Sequence, residues 1–352
     1  ILYKEYFWEY AQKTEFFKEI RNIKDTYSDE DKFNDREADK KLRMLAQKEC
    51  DCVGDDRIKL RLRTKEKSKE RIKILREIER LEEAGLFDKD AENDPPTITL
   101  ESEDVDYLNE KLTSRVKNIF ANKTGEYFLK NIIKTQKLLI KDIKGIENLN
   151  SIQDGAVITC NHFNPFDAFA VETAFRKSNL VKNKKLYKVI REGNYTNFPG
   201  LYGFFFRNCD TLPLSSSTRT MMEFVRATNK ILQKGDVILI YPEQSLWWNY
   251  KKPKPLKPGA FKIAAKNNVP IVPIFITMED SNVMGEDGFY VQEYTVNIGK
   301  PIFPDENLTE KENLEIMKEK NAKVWKEIYE DFYKKPLEYT TIKQEKVWKN
   351  QK

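Results

Sequence analysis

The chain has 352 residues, enough to bury a sizeable core in one large domain or two smaller ones. Its 34% charged and 39% hydrophobic residues, mean hydropathy of −0.69 and net charge of only +5 describe a chain of soluble character without the basic excess that nucleic-acid binding calls for. Cys50, Cys52, Cys160 and Cys209 form neither a C-x-x-C pair nor a zinc spacing, so neither a structural zinc nor a disulfide framework is indicated and a reducing, cytoplasmic compartment is expected; no cofactor is expected either.

Residues 1–94 read as a charged helical N-terminal region. Tyr3, Tyr6, Phe7, Trp8, Tyr10, Phe16, Phe17 and Ile20 mark an aromatic amphipathic helix that serves either as a packing surface or as a bilayer-interface anchor. From Asp55 to Ala84, Ile58, Leu62, Ile72, Leu75, Ile78 and Leu81 recur at helical spacing among dense charge, the pattern of a solvated helix or helical hairpin stopped by Gly85. Asp94-Pro95-Pro96 then sets a boundary, because proline removes a backbone donor and forces its predecessor into extended geometry.

Residues 95–144 are expected to form a helical lead-in, with helices over Val105–Phe120 and Glu126–Ile143. The second carries Lys130, Lys134, Lys137, Lys141 and Lys144 opposite an apolar face, which suits either an anionic membrane surface or a packed core. No apolar run reaches the ~18–20 residues of a spanning helix and no secretory signal pattern appears, so membrane contact is expected to be peripheral. The chain opens on Ile1 rather than Met, which leaves room for a segment upstream.

Across 145–305 short apolar runs alternate with helical patterns. Ala156–Cys160, Leu186–Ile190, Val237–Tyr241, Ile271–Thr277 and Val291–Ile298 read as strands, and Phe166–Arg176, Thr218–Gln233 and Gly259–Asn267 as helices, the alternation of an α/β domain. Residues 306–352 read as a charged C-terminal helix, Glu310–Phe332, and a frayed tail.

Active groups of α/β sheets gather in the loops at strand ends. The chain's one histidine, His162, follows such a strand in Cys160-Asn161-His162-Phe163-Asn164-Pro165-Phe166-Asp167. An Asn-Pro turn before a helix opened by Asp167 would fold carboxylate and imidazole together as a base with a positioning acid. Read alone, the same residues are a solvated loop histidine and a helix N-cap.

Four blocks in order resemble the glycerolipid acyltransferases, the family of 1-acyl-glycerol-3-phosphate acyltransferase, over roughly Gly145 to Pro304. The first, Asn161-His162-Phe163-Asn164-Pro165-Phe166-Asp167, matches the family's N-H-x-x-x-x-D. The second, Lys188–Glu192 with Pro199-Gly200 and Gly203-Phe204-Phe205-Phe206-Arg207, resembles its glycine-to-arginine motif; without the family, Gly203–Arg207 is a strand ending in a surface arginine. The third, Tyr241-Pro242-Glu243-Gln244-Ser245, departs from aromatic-Pro-Glu-Gly-Thr: Gln244 replaces glycine, Ser245 threonine, and Leu246-Trp247-Trp248 the polar continuation. Lys257 and Gly259 match a lysine-x-glycine element within the lysine-rich tract 251–259, and Val269-Pro270-Ile271-Val272-Pro273-Ile274 the proline-framed motif.

The resemblance implies a mixed-sheet α/β acyltransferase domain flanked by the N-terminal helical region. It implies that His162 takes a proton from an acceptor hydroxyl while Asp167 orients it. Substrate binding would fall to Asn161, Gly203, Arg207, Glu243, Ser245 and Lys257, with Arg207 on the acceptor phosphate. Trp247, Trp248 and Phe204–Phe206 would line the acyl path or dip into the membrane interface. The implied partners are acyl-CoA or acyl-carrier protein, a lysophospholipid acceptor and a membrane surface contacted peripherally, with no nucleic acid. Gln244 adds a side chain where backbone and substrate would meet, keeping other acceptors open, glycerol 3-phosphate among them. A non-catalytic lipid- or partner-binding protein of the same fold is the alternative of another class.

Overall fold

The computed structural model describes residues 56–92 and 97–342, with side chains from Lys67. The aromatic segment 3–20, the Asp94-Pro95-Pro96 break and the tail beyond 342 lie outside the described residues.

The first described element, α1 (Asp56–Glu83), divides between two compact units at Arg71. In the smaller one its residues meet 286–289: Lys67 Nζ lies 2.9 Å from Glu286, Arg71 Nε 3.3 Å from Asp287, and Ser68 donates to the Asp287 carbonyl. The larger unit takes Ile72–Gly285 and the chain from Tyr290 onward. There Ile74, Ile78 and Leu81 are buried, so the helical spacing holds while this end of the helix is packed rather than solvated.

The lead-in differs from expectation. One helix, α2 (Leu112–Lys134), replaces the expected pair, and Leu139–Lys144 is strand β1. Asp106 accepts from the Glu110 and Lys111 amides at 2.9 Å each, and Asn109 sits at φ +52°, which delays the start. Gln136, at φ +56°, ends the helix. The apolar residues at 139, 140 and 143 fit either period, and pairing with a neighbouring strand decides in favour of β.

Then follow α3 (Ile146–Asn150), β2 (Ala156–Cys160), α4 (Asp167–Lys177), β3 (Leu186–Ile190), α5 (Glu192–Thr196), α6 (Gly200–Asn208), β4 (Thr211–Pro213), α7 (Thr218–Gln233), β5 (Val237–Ile240), α8 (Gly259–Lys266), β6 (Ile271–Met284), β7 (Tyr290–Ile298) and α9 (Glu310–Tyr333). Among the described residues, seven strands form one sheet in the order β1-β7-β6-β2-β5-β3-β4. Strands β6, β2, β5, β3 and β4 run parallel; β7 is antiparallel to β6 and parallel to β1. The fold is α/β with a mixed sheet.

Strand alternation builds both layers. Ile158, Cys160, Val237 and Leu239 face Leu129 and Ile132 of α2 and Ala170, Val171 and Phe175 of α4. Val157, Ile238 and Ile240 face Phe224 and Ile231 of α7, Phe261 and Ala264 of α8 and Met317 of α9. With both faces covered, the parallel strands leave their carboxyl ends for chemistry.

Candidate active site

Strand β2 ends at Cys160, and the Asn161 side chain extends its pairing with β6. The amide donates to the Ile276 carbonyl at 3.0 Å and accepts from the Ile276 N–H at 2.8 Å. The next residue, His162, therefore leaves a fixed strand end. Asn164 closes the turn by accepting from the Phe166 amide at 3.0 Å, and Asp167 opens α4.

His162 Nδ1 and Asp167 Oδ2 are 2.8 Å apart, with Asp167 1% and the histidine side chain 25% exposed. An ionised carboxylate can only accept, so Nδ1 carries the proton of this bond and Nε2 is the ring nitrogen left as base. The same Oδ2 accepts from the Phe163 amide at 3.1 Å and the Asn164 amide at 3.4 Å. Asp167 Oδ1 accepts from the Tyr241 hydroxyl at 2.7 Å, and the tyrosine ring stacks on the imidazole with centroids 4.2 Å apart. Burial first, and then the neighbouring Asp167 charge, push the Tyr241 phenol well up, so it stays protonated and donates.

A second buried group holds the loop from behind. Glu243 accepts from the His162 amide at 2.9 Å and from the Lys254 amide at 2.8 Å, and its carboxylate lies 3.4 Å from Lys254 Nζ. Lys254 also donates to the Ser245 carbonyl at 2.6 Å and hydroxyl at 3.0 Å. Burial pushes the Glu243 carboxyl up and the Lys254 ammonium down, against their mutual attraction. Gln244 stands where the family's glycine does and adopts φ +64°, the left-handed region glycine takes at least cost, with its side chain exposed.

The structure thus joins His162, Asp167, Glu243 and, through Lys254, Ser245 into one hydrogen-bonded group, while Asn161 precedes His162 in the chain and is bonded to Ile276 instead. The polar atoms of Asn161, Glu243 and Ser245 are taken by protein partners, since Ser245 Oγ also donates to the Phe87 carbonyl at 2.6 Å. Lys257 Nζ lies 3.2 Å from Asp88. Gly203 and Arg207 sit on α6, a helix where the residues alone suggest a strand. Arg207 Nη1 donates to the Tyr195 and Phe198 carbonyls at 3.0 and 3.2 Å. A Cβ at Gly203 would meet the Phe198 oxygen at 1.8 Å and Arg207 Nη2 at 2.6 Å, so this position needs glycine for close approach. Among the described residues no hydrogen bond joins Gly203 or Arg207 to the His162 group. Trp247 and Trp248 do not reach an interface: they are 0% and 5% exposed, packed inside by a loop that folds back on the chain.

Tyr241 and Lys254 escape a reading of the residues alone. Tyr241 appears there only as the aromatic of the third block, and Lys254 as one lysine of a basic tract. The one available signal, a lysine between two prolines in a lysine-rich run, does not announce burial.

A histidine held by a buried carboxylate at the carboxyl edge of parallel strands is an arrangement able to take a proton from a hydroxyl as a general base. Residues 141–277 match the Acyltransferase family model, so this stretch of the chain is an acyltransferase-family domain. It is 28% identical, over 166 residues, to the chloroplastic 1-acyl-sn-glycerol-3-phosphate acyltransferase BAT2 of Brassica napus. That match spans 46% of this chain and 45% of the relative, so the chain covers under half of the relative's length. Among solved structures, the 1-acyl-sn-glycerophosphate (LPA) acyltransferase PlsC of Thermotoga maritima is similar with a TM-score of 0.37 and 18% identity, over 57% of this chain and 81% of that one.

Proposed function

We propose that the protein transfers a fatty acyl group from a thioester, acyl-CoA or acyl-carrier protein, to the free hydroxyl of lysophosphatidic acid, giving phosphatidic acid. The observation that carries this reading is the 2.8 Å bond from His162 to Asp167, which commits Nδ1 and leaves Nε2 to the acceptor. Nε2 removes the hydroxyl proton as the oxygen attacks the thioester carbon. The tetrahedral intermediate then expels the thiolate, which takes the proton back from Nε2, leaving an ester, a thiol and an unchanged enzyme. No acyl-enzyme intervenes, so no nucleophilic serine is needed.

In this reading Asn161 and Glu243 act by fixing the loop that carries His162. Arg207 and Lys257 supply cationic charge to a phosphorylated acceptor, as the family resemblance implies.

The reaction belongs at a membrane surface. Leu112, Val116, Ile119, Phe120 and Tyr127 of α2 are each at least 59% exposed, among Arg115, Lys117, Lys123 and Lys130. Leu201 and Tyr202 of α6 continue the apolar patch, joined to α2 through Phe120–Phe204 and Phe128–Tyr202 ring contacts. An apolar stripe edged with cations suits the headgroup region of an anionic bilayer. Among the described residues no helix is long and apolar enough to cross a membrane.

The test is ester formation by the purified chain with both thioester donors against lysophosphatidic acid, glycerol 3-phosphate and lysophospholipids with larger head groups. Turnover is expected to be fastest with lysophosphatidic acid. Absence of ester with every pair would remove the reading.

A further inference from the structure

The segment Phe87–Asp90 belongs to the N-terminal part of the chain, outside the residues matched to the family, yet it lies across the third block as a strap. Ser245 Oγ donates to the Phe87 carbonyl at 2.6 Å and Trp247 Nε1 to the Lys89 carbonyl at 2.7 Å. The Leu246 amide donates to Asp90 Oδ1 at 3.2 Å, and the Phe87 ring stacks on Trp247 at 5.6 Å. Three of the residues by which this block departs from the family pattern, Ser245, Leu246 and Trp247, seat the strap.

The seated strap brings two carboxylates to two cations. Asp88 Oδ2 is 3.2 Å from Lys257 Nζ, and Asp90 Oδ2 is 2.7 Å from Arg191 Nη1. Both cations stand on the edge that carries His162. The Lys257 amide donates to the Pro242 carbonyl at 2.8 Å, next to the Glu243 that holds the His162 backbone. Arg191 directly follows β3, and Asn161 directly follows β2, so both leave the carboxyl edge of parallel strands with β5 between them. Two strand spacings put β3 about 10 Å from β2 along this edge, within the span of a phosphorylated glycerol and an arginine side chain.

We infer that Asp88 and Asp90 set the acceptor selectivity of this site. They hold Lys257 and Arg191 in tethered carboxylate pairs, so a phosphate monoester must displace two local anions to use those donors. Both pairs are partly solvated, so they are displaceable and weaken phosphate binding without abolishing it. An acceptor whose headgroup carries less negative charge is penalised less. The inference deepens the proposed function and rests on its placing of the acceptor on this edge.

Binding of glycerol 3-phosphate, followed by calorimetry on the full chain, tests it without requiring turnover. The variants are D88N/D90N and a charge-matched control, E306Q/E319Q, at exposed positions. The D90N change keeps a side-chain oxygen for the Leu246 amide, so the strap stays seated. D88N/D90N is expected to bind roughly three- to tenfold more tightly than wild type, the scale of freeing exposed ion pairs, with the control within twofold. If the double variant does not fold, D88N alone carries the test, with a two- to threefold gain expected. Affinity of either Asp variant equal to the control, weaker than wild type, or undetectable overturns the inference. Tighter binding in a chain that forms no ester would leave the strap inference standing and remove the acyltransferase reading; turnover with unchanged binding would do the reverse.

Discussion

Asp167 serves four donors at once: the imidazole, two loop amides and the Tyr241 hydroxyl. The tyrosine thereby helps to fix the carboxylate that orients the imidazole. Tyr241→Phe keeps the ring on His162 and removes one donor. It is expected to lower kcat about tenfold, the scale of a hydrogen bond to a charged group, with little change in KM. A wild-type kcat would show the hydroxyl to be idle. Of this group, the His162–Asp167 pairing is legible in sequence because both residues lie within one turn and a short spacing constrains their geometry. Tyr241, Glu243 and Lys254 arrive by strand register and a returning loop, contacts set by tertiary pairing that spacing does not encode.

At the scale of elements, α2 shows how far periodicity carries. Its amphipathic character is visible, but apolar residues at 139, 140 and 143 fit a helix face and an edge strand equally, and only the partner β7 resolves them. The helix therefore ends before Lys137, Lys141 and Lys144, and the exposed stripe shifts to Leu112–Tyr127. Ile119→Asp with Phe120→Asp is expected to abolish flotation with anionic vesicles while the melting temperature stays within a few degrees, because both side chains are solvated. Undiminished flotation would move membrane contact elsewhere. The inner strands were legible for the opposite reason: runs such as Val237-Ile238-Leu239-Ile240, buried on both faces, admit no competing period.

At the scale of the molecule, segments far apart in sequence converge on the end of α1. Glu82 accepts from Tyr250 Oη at 2.8 Å, Lys252 Nζ at 2.5 Å and the Thr340 amide at 2.8 Å. Burial pushes this carboxyl up, but the Lys252, Thr340 and Tyr250 donors outweigh it and hold it below its ordinary value of 4.5. With the folded value depressed, the contribution to stability is complete above the unfolded value and fades as pH falls through the folded one. Glu82→Gln is expected to cost about 2–3 kcal/mol at pH 7, the scale of breaking a buried charged pair, and thermal melts should show the gap from wild type closing below about pH 4.5. A gap that widens in acid would contradict this. The sparse apolar positions of α1 hide this junction from sequence, since nothing in a charged helix marks one glutamate as buried.

These scales meet in the assignment of His162 as the base, and one rate tests it most directly: ester formation from a thioester and lysophosphatidic acid by His162→Ala, compared with wild type at matched melting temperature. The account predicts a loss of roughly 10²–10⁴-fold. Activity near the wild-type rate would contradict it.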